Sequence, residues 1–315
     1  CSLVLSTCLP AAACLPTCLL PACPACIIHS ASAFPFAVDW SLASEGAAFI
    51  HRTGTLATDV LRDMALMGGY MMSAFNQTLV MTGDLEKGAD ARLGNTSRWW
   101  LAVTDFDSNK PWAAGFRHTL RVRWVHAMVR RHLKNHPDWN AAVYGLPINQ
   151  CDMAATYLGF SLVMLLGLRK CGVYVTARQS RAVMHLWKIV AWQMGANEQW
   201  LVDDEKQGIV MLRQLMMTHT PPDETTVQLA RALAEEPLTR QYESFALVRR
   251  RVAWLAHLSS SSWLLGPTML RKLGLSSPVG PWLKLIELVP ATSSYYLRSV
   301  RKKSRVLKAR DGRSA

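Results

Sequence analysis

The chain has 315 residues, half of them hydrophobic, with 12 tryptophans and 14 methionines; that is enough apolar material for a large core and excludes a disordered protein. The formal net charge of +13 is concentrated at the C-terminal end, where Arg298, Arg301, Lys302, Lys303, Arg305, Lys308, Arg310 and Arg313 stand against Asp311 alone. No aromatic residue interleaves that cluster and no nucleic-acid module precedes it. Nucleic acid is therefore excluded as a partner, and the tail reads as a solvated end able to meet an anionic membrane surface.

Residues 1–44 contain Cys1, Cys8, Cys14, Cys18, Cys23 and Cys26, six of the eight cysteines. Pro10, Pro16, Pro21, Pro24 and Pro35 interrupt the apolar runs there. Proline removes an amide donor and clashes with the preceding turn, so no spanning helix is expected. Cys23-Pro-Ala-Cys26 lacks the βαβ context of a redox motif, and Ile27 stands where covalent haem attachment requires histidine. The segment is expected to be a targeting remnant or disordered, outside the fold. Cys151 and Cys171 lie in helical sequence and are expected to be reduced core residues.

From residue 45 the periodicity is helical almost throughout. Apolar residues recur at spacings of three and four over 54–82, 89–104, 112–134, 150–171, 177–194, 205–218, 224–235 and 239–258, and no segment keeps a two-residue alternation. The expected fold is all-α, a multi-helix bundle over 45–260, with a helical extension over 261–297 and the basic tail at 298–315. The longest uncharged helical run, Met153 to Leu168, has 16 residues. It spans about 24 Å, against about 30 Å for a bilayer core, so a buried central helix is expected.

Three of these helices carry residues suited to chemistry. In "RHTLRVRWVHAMVRRHLK", Val122, Val125, Val129 and Leu133 form a stripe expected to face the core, bordered by Arg123, His126, Arg130 and Lys134. The border is either a solvated flank whose alkyl stems cover the stripe, or it turns Arg123 and His126 inward to hold an anionic group, for which a planar guanidinium is suited.

In the helix that follows Pro147, Asn149 is placed to cap by accepting from the amide of Asp152, whose carboxylate sits in the positive first turn. Asp152 and Thr156 share one face, and the small residues Ala155 and Gly159 let a helix or a flat cofactor approach. In "VTARQSRAVMHLWKIVAWQMG", Thr176 and Gln179 fit a capping box and Gly195 a C-terminal stop. His185 lies off the stripe of Val183, Trp187, Val190 and Met194. It is either a hydrogen-bonded boundary residue or an axial ligand of haem iron.

Taken together, "LRVRWVHAMVRRHL", "YGLPINQCDMAATYLGFSLVMLLGLRKCGV" and "MHLWKIVAWQMGANEQWLV" resemble, in order and near-spacing, the oxygenase family of bacterial latex-clearing proteins (rubber oxygenases) and the fungal endoplasmic-reticulum-bound oxygenase MpaB, over roughly residues 45–260. The resemblance implies a globin-like bundle around a pocket for b-type haem and its iron. It also implies that O2 is used to cleave carbon–carbon double bonds of an isoprenoid or prenyl-chain substrate.

By the same resemblance, His185 is the proximal iron ligand, Thr156 stands beside the haem with Gly159 on the same wall, and Arg123 or Arg130 pairs with a propionate. Asp152 stands where latex-clearing members carry a functional arginine, and Ala155 where some carry a distal lysine. No glutamate occurs between Glu86 and Glu198, so a catalytic base, where one is needed, is Asp152 or His126. An endomembrane or organellar location is expected. The competing expectation is a haem-free helical lipid-binding or membrane-surface protein with a prenyl lipid in the same apolar slot.

Overall fold

The computed structural model describes residues 34–83, 89–219, 221–286 and 288. The cysteine cluster of residues 1–26 and the basic tail of 298–315 lie outside the described residues. Among the described residues every regular element is helical, and the fold is all-α.

Helix α1 (Trp40–Thr53) precedes the first run seen in the periodicity. Its cap is Asp39, whose side chain accepts from the Leu42 amide at 2.9 Å. Gly54, at φ 53°, ends it and starts α2 (Thr55–Met71). The single helix expected over 54–82 is broken at Met72, beyond which α3 (Ser73–Met81) begins. Next come α4 (Ala89–Val103), α5 (Ala114–Lys134) and the single turn α6 (Ala141–Tyr144).

Helix α7 (Gln150–Lys170) is α-helical over Gln150–Leu158 and Met164–Lys170 and widens to a π turn across Gly159–Val163. Ala154, Leu158, Leu162, Leu165 and Leu168 are wholly buried, so α7 is the central rod of the core. By length and composition alone α7 could cross a membrane, but 61% of its apolar window is buried inside the protein. That is how a core helix behaves.

The capping box and the left-handed Gly195, at φ 105°, bound α8 (Ala177–Met194). α1 crosses α8 so closely that a Cβ on Gly46 would lie 2.4 Å from the Ala182 carbonyl oxygen. Phe160 of α7 stacks on Trp187 of α8 at 4.9 Å, and Trp99 of α4 meets Phe160 edge-on at 5.4 Å, joining three helices at one point.

The chain then forms α9 (Glu205–Thr218), α10 (Glu224–Thr239), α11 (Ala246–Leu265) and α12 (Pro267–Lys272). α10 runs through Pro237, and α11 lies seven residues later at both ends than the run expected at 239–258. The run stopped short of the four serines Ser259 to Ser262, which are buried inside α11 because the core supplies partners. Ser261 donates to the Asp63 carboxylate on α2, and Ser259 Oγ accepts from the Lys284 amide at 3.1 Å.

This seam is titratable. Burial pushes the Asp63 carboxyl up to about 7, partly offset by the Ser261 hydroxyl. Burial, with Arg62 and Arg240 nearby, drives His257 of α11 down to about 2. Folded Asp63 keeps a proton that the unfolded chain releases above about pH 4, so its contribution to stability is present at low pH and lost as pH rises through about 7. His257 works in the opposite sense, its contribution fading as pH falls below about 6.5. Relative to the parent chain, Asp63→Asn is therefore expected to lose about 1.4 kcal/mol for each unit of acidification between about pH 6.5 and 4.5. Urea melts of both proteins across that range check this, and parallel profiles would refute a protonated Asp63.

Candidate functional site

A cavity of about 420 Å³ opens between α2, α5, α7, α8, α9 and α10. Its walls are mostly apolar, with Met64 and Met67 from α2, Val122 from α5, Phe160 and Val163 from α7 and Trp187 from α8. The polar side chains on it include Thr96, His126, Asp152, Thr156 and His219. Apolar walls with a few fixed polar groups are the usual make-up of a small-molecule site.

Helix α7 presents Asp152, Thr156, Gly159 and Val163 to the cavity, one helical face at spacings of three and four. Gly159 lies where α7 meets α2, since a Cβ there would sit 2.8 Å from Met64 Sδ, and the π turn begins at the same residue. Such turns recur at functional sites. The Thr156 hydroxyl donates to the Asp152 carbonyl at 2.7 Å, which orients it along its own helix.

The start of α7 is also conspicuous because Ile148, just before the cap and on the cavity wall, has φ 50°. A β-branched residue in that region is strained. Arg130 holds the segment, donating from Nε to Pro147 O at 3.2 Å and from Nη2 to Ile148 O at 2.8 Å.

The stripe expected on α5 is rotated. Val125 is 48% exposed, while Phe116, Thr119 and Leu133 are buried and Arg123, His126 and Arg130 are half-buried on the same side. The core face takes in the border because α5 packs on α4 and α8 with that side. Val122 and His126 reach the cavity. Arg123 and Arg130, the expected propionate partners, are not among its lining residues. Arg123 donates to Gln193 O at 3.1 Å and packs over Gly195, so both guanidiniums clamp backbone carbonyls at the cavity's edge.

His185 is not brought to this cavity. The positions of α8 that line it are Trp187, Val190, Ala191 and Met194, and a residue two before Trp187 lies about 200° around the helix. His185 Nε2 instead accepts from the Asp39 amide at 2.9 Å, tying α8 to the start of α1. Burial holds its imidazole below the ordinary histidine range.

One site residue had no role in the sequence reading. His219 follows α9 immediately, and its signal is only its spacing from Leu212, Leu215 and Met216, all on the cavity wall. Nδ1 lies 2.5 Å from the Leu215 carbonyl, which fixes the proton on that nitrogen. Nε2 is buried, makes no hydrogen bond, and faces Asp152 Oδ1 at 3.5 Å. The Asp152 carboxylate raises the imidazole above its ordinary range despite burial. Asn149 secures the carboxylate by donating from Nδ2 to Oδ2 at 2.8 Å and accepting the Asp152 amide at 3.0 Å.

These features define an all-α protein with an apolar cavity carrying imidazoles and a carboxylate. The chain belongs to the family of the ER-bound oxygenase mpaB/B'/Rubber oxygenase catalytic domain, whose family model matches residues 52–293. It is 24% identical over 156 residues to the rubber oxygenase of Streptomyces sp. (strain K30), a match covering 47% of this chain and 38% of that protein's length. A solved structure of latex clearing protein LCP in the closed state superimposes with a TM-score of 0.59 at 18% identity, covering 84% of this chain and 76% of that one, which is a likeness of fold.

Proposed function

We propose that the protein is a haem-dependent oxygenase that uses O2 to cleave a carbon–carbon double bond of an isoprenoid or prenyl-chain substrate. Family membership supports an oxidoreductase. The observation that carries the reading is the apolar cavity with an imidazole on its α5 wall and the Asp152, Thr156, Gly159 face of α7 beside it.

The residues fit a haem. On this reading the bundle is a globin-like pocket, Gly159 keeps one wall flat, and Phe160, Val163 and Trp187 supply apolar sides. His126, on the cavity wall, would hold the iron; His185 lies away from the cavity, with Nε2 bonded to the Asp39 amide. His126 is also preferred to His219, whose setting beside Asp152 favours the protonated form, because a ligating imidazole must be unprotonated. Haem, when bound, supplies the chemistry that activates O2.

The chain's own residues do the rest. The methionine and aromatic walls exclude water and hold a hydrocarbon extended, Thr156 offers a hydroxyl beside it, and Asp152 with His219 holds protons in place of the glutamate that the central helices lack. Arg123 and Arg130 keep the cavity's edges rigid. Endomembrane association through the tail at 298–315 belongs to the same proposal, since each basic residue near an anionic leaflet contributes about 1 kcal/mol.

The test is the visible spectrum of the purified chain supplied with haem, recorded oxidised, reduced, and reduced with carbon monoxide, alongside O2 uptake with a polyisoprenoid. A Soret band that shifts with carbon monoxide, together with substrate-dependent O2 uptake, is the expected result. A colourless protein that takes up prenyl lipid saturably would instead identify the haem-free lipid binder.

A further inference from the structure

We propose that Asp152 and His219 form a polar subsite that receives a hydroxyl group, so that the substrate is a prenyl alcohol or a similarly hydroxylated chain and not a plain hydrocarbon. This deepens the reading above and rests on it. His219 comes from the end of α9 and Asp152 from the first turn of α7, and both side chains line the one cavity. Both residues are half-buried, with side-chain exposures of 8% and 13%.

The two groups form a long ion pair that lacks hydrogen-bond geometry. Nε2 of His219 and Oδ1 of Asp152 are 3.5 Å apart, long for a hydrogen bond, and Nε2 makes none. The other atom of each group is already committed. Nδ1 gives its proton to Leu215 O, and Oδ2 accepts from Asn149. A hydrocarbon in the cavity would leave the open pair against methylene groups, and a buried polar group without a partner costs about 1–3 kcal/mol.

A hydroxyl oxygen resolves the mismatch. Placed about 2.8 Å from each atom it completes a triangle with the 3.5 Å edge, its O–H donating to Asp152 Oδ1 and its lone pair facing Nε2, the ring nitrogen left without a hydrogen bond. One oxygen then acts as donor and acceptor together. Ethers, which only accept, and hydrocarbons, which do neither, are disfavoured. Sites built around such a bond discriminate strongly against analogues that lack it.

The experiment is equilibrium dialysis of the haem-loaded chain with tritiated farnesol and, by competition, with the farnesene hydrocarbon of equal length. The parent chain is expected to bind the alcohol about 100-fold more tightly. His219→Phe keeps a planar aromatic ring and removes the donor, and is expected to bring the two affinities within about threefold while leaving hydrocarbon binding in place. Equal affinities in the parent chain would overturn the subsite and leave the isoprenoid cavity standing. If neither ligand binds the parent, the isoprenoid reading and the subsite are both overturned.

Discussion

His126→Ala is expected to abolish retention of haem, while His185→Ala keeps it. His126 and Val122 are the α5 residues that reach the cavity, and removing the imidazole proposed to hold the iron would leave the haem without its protein ligand. His185 stands about 200° around α8 from Trp187 and accepts a backbone amide. Its truncation gives up the bond to the exposed Asp39 N–H and loosens α1 from α8, an expected loss of about 1 kcal/mol in stability with the Soret band intact. Haem-to-protein stoichiometry after gel filtration, with chemical denaturation of the same samples, separates the two effects. Haem lost from His185→Ala and retained by His126→Ala would return the ligand to α8 and refute the assignment made from the cavity.

Gly46→Ala is expected to be the most damaging single methyl in the fold. The added carbon would lie 2.4 Å from the Ala182 carbonyl oxygen and 2.7 Å from its carbon. Both are backbone atoms inside a helix and cannot swing aside as a side chain would. α1 must separate from α8, the most extensive helix pair among the described residues, at an expected cost of about 3 kcal/mol and a fall in melting temperature of about 10 °C.

Gly68→Ala is the matched control. Nothing lies within 4 Å of its added Cβ, and the helix gains about 0.5–1 kcal/mol from alanine. Thermal melts of the two variants should move in opposite directions, and an unshifted Gly46→Ala would mean that the two helices do not approach as closely as described.

Much of the architecture was legible in the chain because it depends on neighbours three or four residues apart. Thr176, Gln179 and Gly195 bound α8 through bonds that close within one turn, and Asn149 caps α7 in the same way. The small and polar face of α7, Asp152, Thr156 and Gly159, was also visible as spacing. The run 54–82 misled because Met72, itself neither proline nor glycine, breaks it, and the run 239–258 stopped short of hydroxyls that α11 buries because Asp63 and the Lys284 amide, from elsewhere in the chain, satisfy them.

The sequence alone therefore determined the all-α class, most helix limits and the small, polar face of α7. Only the tertiary structure decided which side of α5 turns inward, that His185 meets Asp39 and not the cavity, and that His219 stands opposite Asp152. The physical reason is one of range. A cap or a stripe is set by local geometry, whereas a rotation of about 100° per residue makes several faces of a helix plausible until another helix, distant in sequence, packs against one of them.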